Sequence, residues 1–213
     1  MEPALHERTA RDLIELYRRR EVSPVEVARS VLGHVERWEY YVQALYLLKP
    51  DHVLEQARAS EARWQRGEPM GAIDGVPITI KDNIATAGDP TPLGTAAVDL
   101  QPAAADAPPA ARVRESGGLV LAKTTMPDYG MLSSGLSSFH PLARNPWDRS
   151  KTPGGSSAGA GAAAAAGYGP LHIGTDIGGS LRLPALDPPG VLLRSQGLRA
   201  SGWKLERPDD SMP

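Results

Sequence analysis

The chain has 213 residues, a formal net charge of -2, 41% hydrophobic residues and 23% charged residues. That length suits one large domain or two small ones, enough to bury a core, and the near-neutral charge gives no reason to expect nucleic acid or an anionic membrane as partner. There are no cysteines, which excludes disulfides, thiolate nucleophiles and cysteine-ligated metals.

Met1 to Arg8 has no basic start followed by an apolar stretch, so a secretory signal is not expected. No run approaches the ~18 apolar residues of a membrane span, and a cytoplasmic location is the default expectation. Thr9-Ala10-Arg11-Asp12 is a capping-box pattern, followed by Leu13, Leu16 and Tyr17 at helical spacing. Ser23-Pro24-Val25-Glu26 repeats the signal, with proline at the first helical position, and Val27, Val31 and Val35 continue that second helix. Tyr41 to Leu48 is apolar and partly β-prone and predicts a strand. Asp51 to Arg66 predicts a third helix, ended by Gly67 and Pro69. Val76 to Ile80 is a β-branched run with Lys81-Asp82-Asn83 at its C-terminal end. Asp89 to Pro109 predicts an ordered loop, Ala110 to Ser116 the end of a helix, and Leu119 to Ala122 a buried strand. Alternating helix and strand argue for an α/β sheet.

From Pro153 to Gly169 nearly every residue is Gly, Ala or Ser. Composition alone would make this a flexible linker. Against that, Ala162 to Ala166 are strong helix formers and follow directly on Gly154-Gly155-Ser156-Ser157. A glycine-rich turn opening a helix aims backbone N–H groups and hydroxyls at one spot, which suits an anion or an oxyanion. A second such turn is Gly174-Thr175-Asp176-Ile177-Gly178-Gly179-Ser180. Leu186 to Pro213 has no clear period and reads as a poorly ordered tail.

Several chemistries can be tested on order and spacing. His6, His34, His52, His140 and His172 show no metal-ligand spacing, so they are expected on the surface or satisfied in the core. Gly155-Ser156-Ser157-Ala158-Gly159 matches a nucleophile elbow, but no acidic residue lies between Ser157 and His172, the only later histidine. Gly159-Ala160-Gly161 is a loose dinucleotide fingerprint with no strand before it and no strand clearly leading into Asp176, and no phosphate-binding P-loop is present. What remains is a serine activated without histidine. A lysine serves as base only when neutral, so it must be buried or face positive potential. Lys81 and Lys123 both follow apolar strands, and residue chemistry alone leaves both open.

At this point the sequence resembles the amidase-signature family. The stretch Gly154 to Gly179, closed by Ser180-Leu181-Arg182, is similar to its defining signature, and Gly75-Val76-Pro77-Ile78-Thr79-Ile80-Lys81-Asp82 to the segment with its lysine. Ala122 to Pro127 and Arg144-Asn145-Pro146-Trp147-Asp148 resemble further family segments, and the likeness covers roughly Ala10 to Ala185. It implies an α/β fold with a mixed central sheet flanked by helices. It implies Ser180 as nucleophile, Ser156 as bridging serine behind a cis bond from Gly155, and Lys81 as base, with Lys123 structural. Backbone N–H groups of Ile177, Gly178, Gly179 and Ser180 would form the oxyanion hole, supported by Ser157, Asp176 and Arg182. It implies hydrolysis of a small carboxamide through an acyl-enzyme, no metal or organic cofactor, no direct nucleic-acid or membrane partner, and is compatible with a homodimer.

The resemblance divides the chain into an N-terminal helical part (1–70), a signature core (71–185) and a divergent tail (186–213). Ala158 and Ala160 stand where the family commonly has Gly and Ser. Leu186 onward does not resemble the family's continuation. The expectation is a fold incomplete on its C-terminal side, with open edges, as a frameshift or truncated gene would produce. Two competing readings are the amidase subunit of a glutamyl-tRNA(Gln)/aspartyl-tRNA(Asn) amidotransferase, which needs partner subunits, and an inactive fragment. Met131 to Ser138 is a candidate lining for the acyl pocket.

Overall fold

The computed structural model describes residues 3–186. The divergent tail lies outside the described residues, apart from Leu186, which closes the last helix.

Helix α1 (Ala10–Arg19) starts where Thr9 Oγ1 accepts the Asp12 N–H at 3.1 Å and the Asp12 carboxylate accepts the Thr9 N–H at 3.2 Å. Helix α2 (Pro24–Val42) uses the same reciprocal cap between Ser23 and Glu26, at 3.2 and 2.8 Å. Each cap satisfies two amides that no helical carbonyl can reach and contributes about 1 kcal/mol. The strand expected over 41–48 is much shorter. Val31, Val35, Trp38 and Val42 continue the apolar stripe of α2 at helical spacing and are all buried, so the helix runs on to Val42. Gln43 ends it at φ 52°, and only Leu45–Tyr46 forms strand β1. Helix α3 (Pro50–Arg66) stops at Gly67, whose φ of 75° suits a residue without a Cβ.

Strand β2 (Pro77–Lys81) is buried along its whole length. Its entry is fixed by the buried Asp74, which accepts from Ser60 at 2.7 Å, from Arg63 at 2.6 and 2.9 Å, and from the Met70 N–H at 2.8 Å. Helix α4 (Pro108–Glu115) and strand β3 (Leu119–Thr124) follow. Helix α5 (Ala158–Ala165) begins directly after Ser157, and α6 (Arg182–Leu186) closes the described chain. Strand β4 (Leu171–Ile173) leads into the Gly174 turn, correcting the expectation of no strand before Asp176. Three residues carry no readable period; pairing with β2 makes them a strand.

The described sheet is mixed, in the order β1-β3-β2-β4, with β1 antiparallel to β3 and the other pairs parallel. The α/β class with a mixed sheet flanked by helices is therefore what this chain forms. On one face, Leu13, Tyr17, Val27, Val31 and Val35 pack with Leu119, Leu121, Ala162 and Ala163 in one continuous core. Burying each large aliphatic chain contributes roughly 1.5–3 kcal/mol. On the other face, Ile80, Ile84 and Ala110 form a smaller cluster with Val120 and Ile173.

The register of β2 against β3 decides how the two buried lysines lie. Ile78 pairs with Val120, but Thr79 pairs with Ala122, so Leu121 is an extra residue in β3. Past this bulge Lys123 sits opposite Ile80, and Lys81 sits opposite Thr124. Side chains alternate along a strand, so one inserted residue exchanges faces. Without it Lys81 and Lys123 would be paired on the same face. With it Lys123 turns toward the Ile80 side and Lys81 toward α5.

Candidate active site

Lys81 ends β2 completely buried. Its Nζ donates to Ser156 Oγ at 2.9 Å and to Thr175 Oγ1 at 2.9 Å. Burial disfavours the charged amine and lowers its pKa from 10.5 to about 8, against the opposing pull of Asp82 and Asp176. Lys123 is buried and lowered too, again by burial, but its Nζ donates to the Ile84 carbonyl at 2.6 Å. The lysine that meets a serine hydroxyl is Lys81.

Ser156 follows Gly155 through a cis peptide bond and lies immediately before α5. The turn is tightly enclosed. A Cβ on Gly155 would lie 2.4 Å from the Ser134 carbonyl oxygen, and one on Gly130 would lie 3.2 Å from Ser156 Oγ. The loop of residues 131–138, read as a candidate acyl-pocket lining, thus abuts the serine turn, while Met131 and Leu136 face solvent. In the first turn of α5, a Cβ on Gly159 would lie 2.2 Å from the Ala44 carbonyl oxygen. Glycine there lets the helix press its first turn against the backbone beside β1.

Ser157 joins the two glycine turns. Its N–H donates to the Ser180 carbonyl at 3.1 Å, its Oγ donates to the Thr175 carbonyl at 3.2 Å, and it accepts the Thr175 N–H at 3.3 Å. Asp176 closes the second turn on itself. It accepts the Gly179 N–H at 2.7 Å, the Leu181 and Arg182 N–H groups at 3.3 Å, and a two-pronged contact from the Arg182 guanidinium at 2.9 Å. Arg182, with these amides, holds the Asp176 carboxyl well below the usual carboxylate range.

Among the described residues, the N–H groups of Ile177, Gly178 and Ser180 make no hydrogen bond, and Ile177 is fully exposed. Of the four amides expected in an oxyanion hole, Gly179's is engaged with Asp176. The structure brings the Ser180 backbone beside Ser157, and no hydrogen bond joins the Ser180 and Ser156 hydroxyls.

Sequence reasoning missed Thr175 and Asn83. Thr175 takes the second hydrogen bond from Lys81, and Asn83 Nδ2 donates to the same hydroxyl at 3.3 Å. Both sit inside motifs already singled out, but nothing in their spacing marks them as neighbours. His172 is a satisfied core histidine. It meets Thr79 Oγ1 at 2.8 Å and the Gly169 carbonyl at 3.0 Å, and burial lowers its pKa to about 4. Among the described residues no group of three or more His, Asp or Glu side chains could hold a metal ion, and no helix is long and apolar enough to cross a membrane.

A buried lysine amine within hydrogen-bond reach of a serine hydroxyl is the geometry a base needs to act on that hydroxyl. The sequence profile of the Amidase family matches residues 26–186, and the chain belongs to that family. It is 41% identical over 178 residues to a subunit of the glutamyl-tRNA(Gln) amidotransferase of Symbiobacterium thermophilum, a match covering 83% of this chain and 36% of that protein. The chain thus spans about a third of the length of the curated relatives it matches. Among solved structures, a bacterial aryl acylamidase of the amidase-signature family is 34% identical with a TM-score of 0.78, over 85% of this chain and 38% of that one. Fatty acid amide hydrolase, 24% identical with a TM-score of 0.82 over 87% and 33%, shares the fold.

Proposed function

We propose that this chain carries the base, bridge and nucleophile of an amidase that cleaves the C–N bond of a small carboxamide through an acyl-enzyme on Ser180. The observation that carries the reading is the 2.9 Å contact between the buried Lys81 amine and Ser156. A lysine whose pKa has fallen to about 8 is neutral in a usable fraction of molecules near neutral pH.

Neutral Lys81 takes the Ser156 proton, and Ser156 takes the proton of Ser180 as Ser180 Oγ attacks the amide carbonyl carbon. The carbonyl oxygen becomes an oxyanion. The N–H groups of Ile177, Gly178 and Ser180, which make no hydrogen bond among the described residues, are the donors available to it, with the Gly179 amide and Arg182 holding Asp176 and the shape of the turn. The relay runs backward to protonate the departing ammonia or amine. Water then attacks the acyl-Ser180 ester by the same route and releases the acid. No step needs a metal or organic cofactor, and loop 131–138 is the surface nearest to the acyl group.

A second reading follows from the curated relatives, which are named as subunits of glutamyl-tRNA(Gln) amidotransferase. There the same chemistry would release ammonia for use by partner subunits. Free amide hydrolysis by the isolated chain, with no partner recovered in a pull-down, rejects it. The principal test is labelling with a fluorophosphonate serine probe, located by mass spectrometry. Modification at Ser180, lost in Ser180→Ala and in Lys81→Met, is expected; labelling that persists in both variants overturns the assignment.

A further inference from the structure

Behind the lysine, on the opposite face of the sheet, lies a buried carboxylate–imidazole pair that the relay does not use. Asp82 follows Lys81 and is fully buried. Its carboxylate accepts the Leu93 N–H at 3.2 Å, the Gly94 N–H at 2.7 Å and His140 Nε2 at 2.7 Å. A carboxylate only accepts, so Nε2 carries a proton. The His140 ring is buried between Tyr46 and Phe139, each with its centroid 5.0 Å away. The backbone N–H of His140 is tied down by Ser137 Oγ at 2.8 Å.

Asp82 is the largest charge opposing deprotonation of both Lys81 and Lys123. The other charges facing the cluster are Asp176 toward Lys81, and Asp89 and Asp106 toward Lys123, with Tyr46 facing Asp82 and Asp89. Asp89 is itself paired with Lys49. His140 is the side chain that hydrogen-bonds the Asp82 carboxylate directly.

We propose that the Asp82–His140 pair is a positioning device that sets the protonation of Lys81: His140 holds down the negative field of Asp82 and keeps the amine neutral enough to act as base. The inference rests on the amidase reading for its purpose but not for its measurement. Removing the His140 donor leaves the carboxylate next to Lys81 held only by the Leu93 and Gly94 amides, which favours the charged amine. Removing the Asp82 charge does the opposite.

The test is a titration of the lysine Cε resonances by NMR on the full chain, with Lys81 assigned from Lys81→Met. In His140→Leu the Lys81 midpoint should rise by about one pH unit, and in Asp82→Asn it should fall by about as much. His140→Gln, whose amide can reach the carboxylate, should return it toward the parent value. Adding His140→Leu to Asp82→Asn should move it no further. An unmoved midpoint in His140→Leu overturns the proposal. If that variant does not fold, an unmoved midpoint in Asp82→Asn, or a fall in His140→Gln, does so. The titration needs no turnover: midpoints that move as stated in a chain that hydrolyses no amide sink the amidase reading and leave this inference standing.

Discussion

The two glycine-serine turns are built from the same residue types and behave differently. The first, Gly154 to Ser157, is enclosed, with Ser156 and Ser157 buried and backbone pressing on Gly155 from loop 131–138. The second, Gly174 to Ser180, is anchored to the first by Ser157 and folded on itself by the Asp176 carboxylate and Arg182, with Ile177 and Gly178 exposed. The turn that carries Ser156 is preorganised by packing, and the turn that carries Ser180 by a polar clamp. Packing resists change at high cost, while an exposed clamp is adjustable and weak.

The largest expected effect lies where the turns meet in chemistry. Ser180→Ala should lower amide hydrolysis by at least about 1,000-fold while circular dichroism stays unchanged; turnover near the parent rate would show that the open turn does not carry the nucleophile. Lys81→Met should cost as much activity yet stabilise the fold. The fall of the Lys81 pKa from 10.5 to about 8 corresponds to about 3 kcal/mol of destabilisation at neutral pH. Between those two values the unfolded chain binds more protons than the folded one, so stability rises with pH across that window. The gain from Lys81→Met should therefore be greatest below pH 8 and shrink toward pH 10, as urea melts at several pH values would show. The same shift sets the rate profile: kcat/KM should climb with pH to a half-maximum at about 8 and then level off.

On the enclosed side, Gly159→Ala forces a Cβ to within 2.2 Å of backbone and should cost about 3 kcal/mol, read as a lowered urea midpoint. On the open side, Arg182→Leu removes the clamp on Asp176. It should lower kcat by about tenfold with little change in Tm. A large loss of Tm in that variant would show the second turn to be as structural as the first.

Much of the fold was legible because its signals are local. Thr9 with Asp12 and Ser23 with Glu26 announce two helices through contacts spanning three residues, and Val27, Val31 and Val35 mark the buried face by period alone. The strand expected over 41–48 was overstated because Tyr41 and Val42 belong equally to a β-prone run and to the stripe of α2; burial of Val42 against the core settles it in favour of helix. Strand β4 was invisible at three residues. In the site, the Gly/Ser turns and the two candidate lysines were readable as chemistry, and the resemblance added the roles. Thr175, Asn83 and the Asp82–His140 pair were not readable, because their partners lie far away in sequence.

The sequence by itself determined the ingredients: helices from caps and period, strands from β-branched runs, two hydroxyl-bearing turns, and two lysines at the ends of apolar strands. Only the tertiary structure decided which lysine meets a serine. A single extra residue in β3 at Leu121 shifts the register and turns Lys123 to the face opposite Lys81. Register depends on how two strands distant in the chain pack together, and side-chain alternation converts a one-residue slip into a change of face.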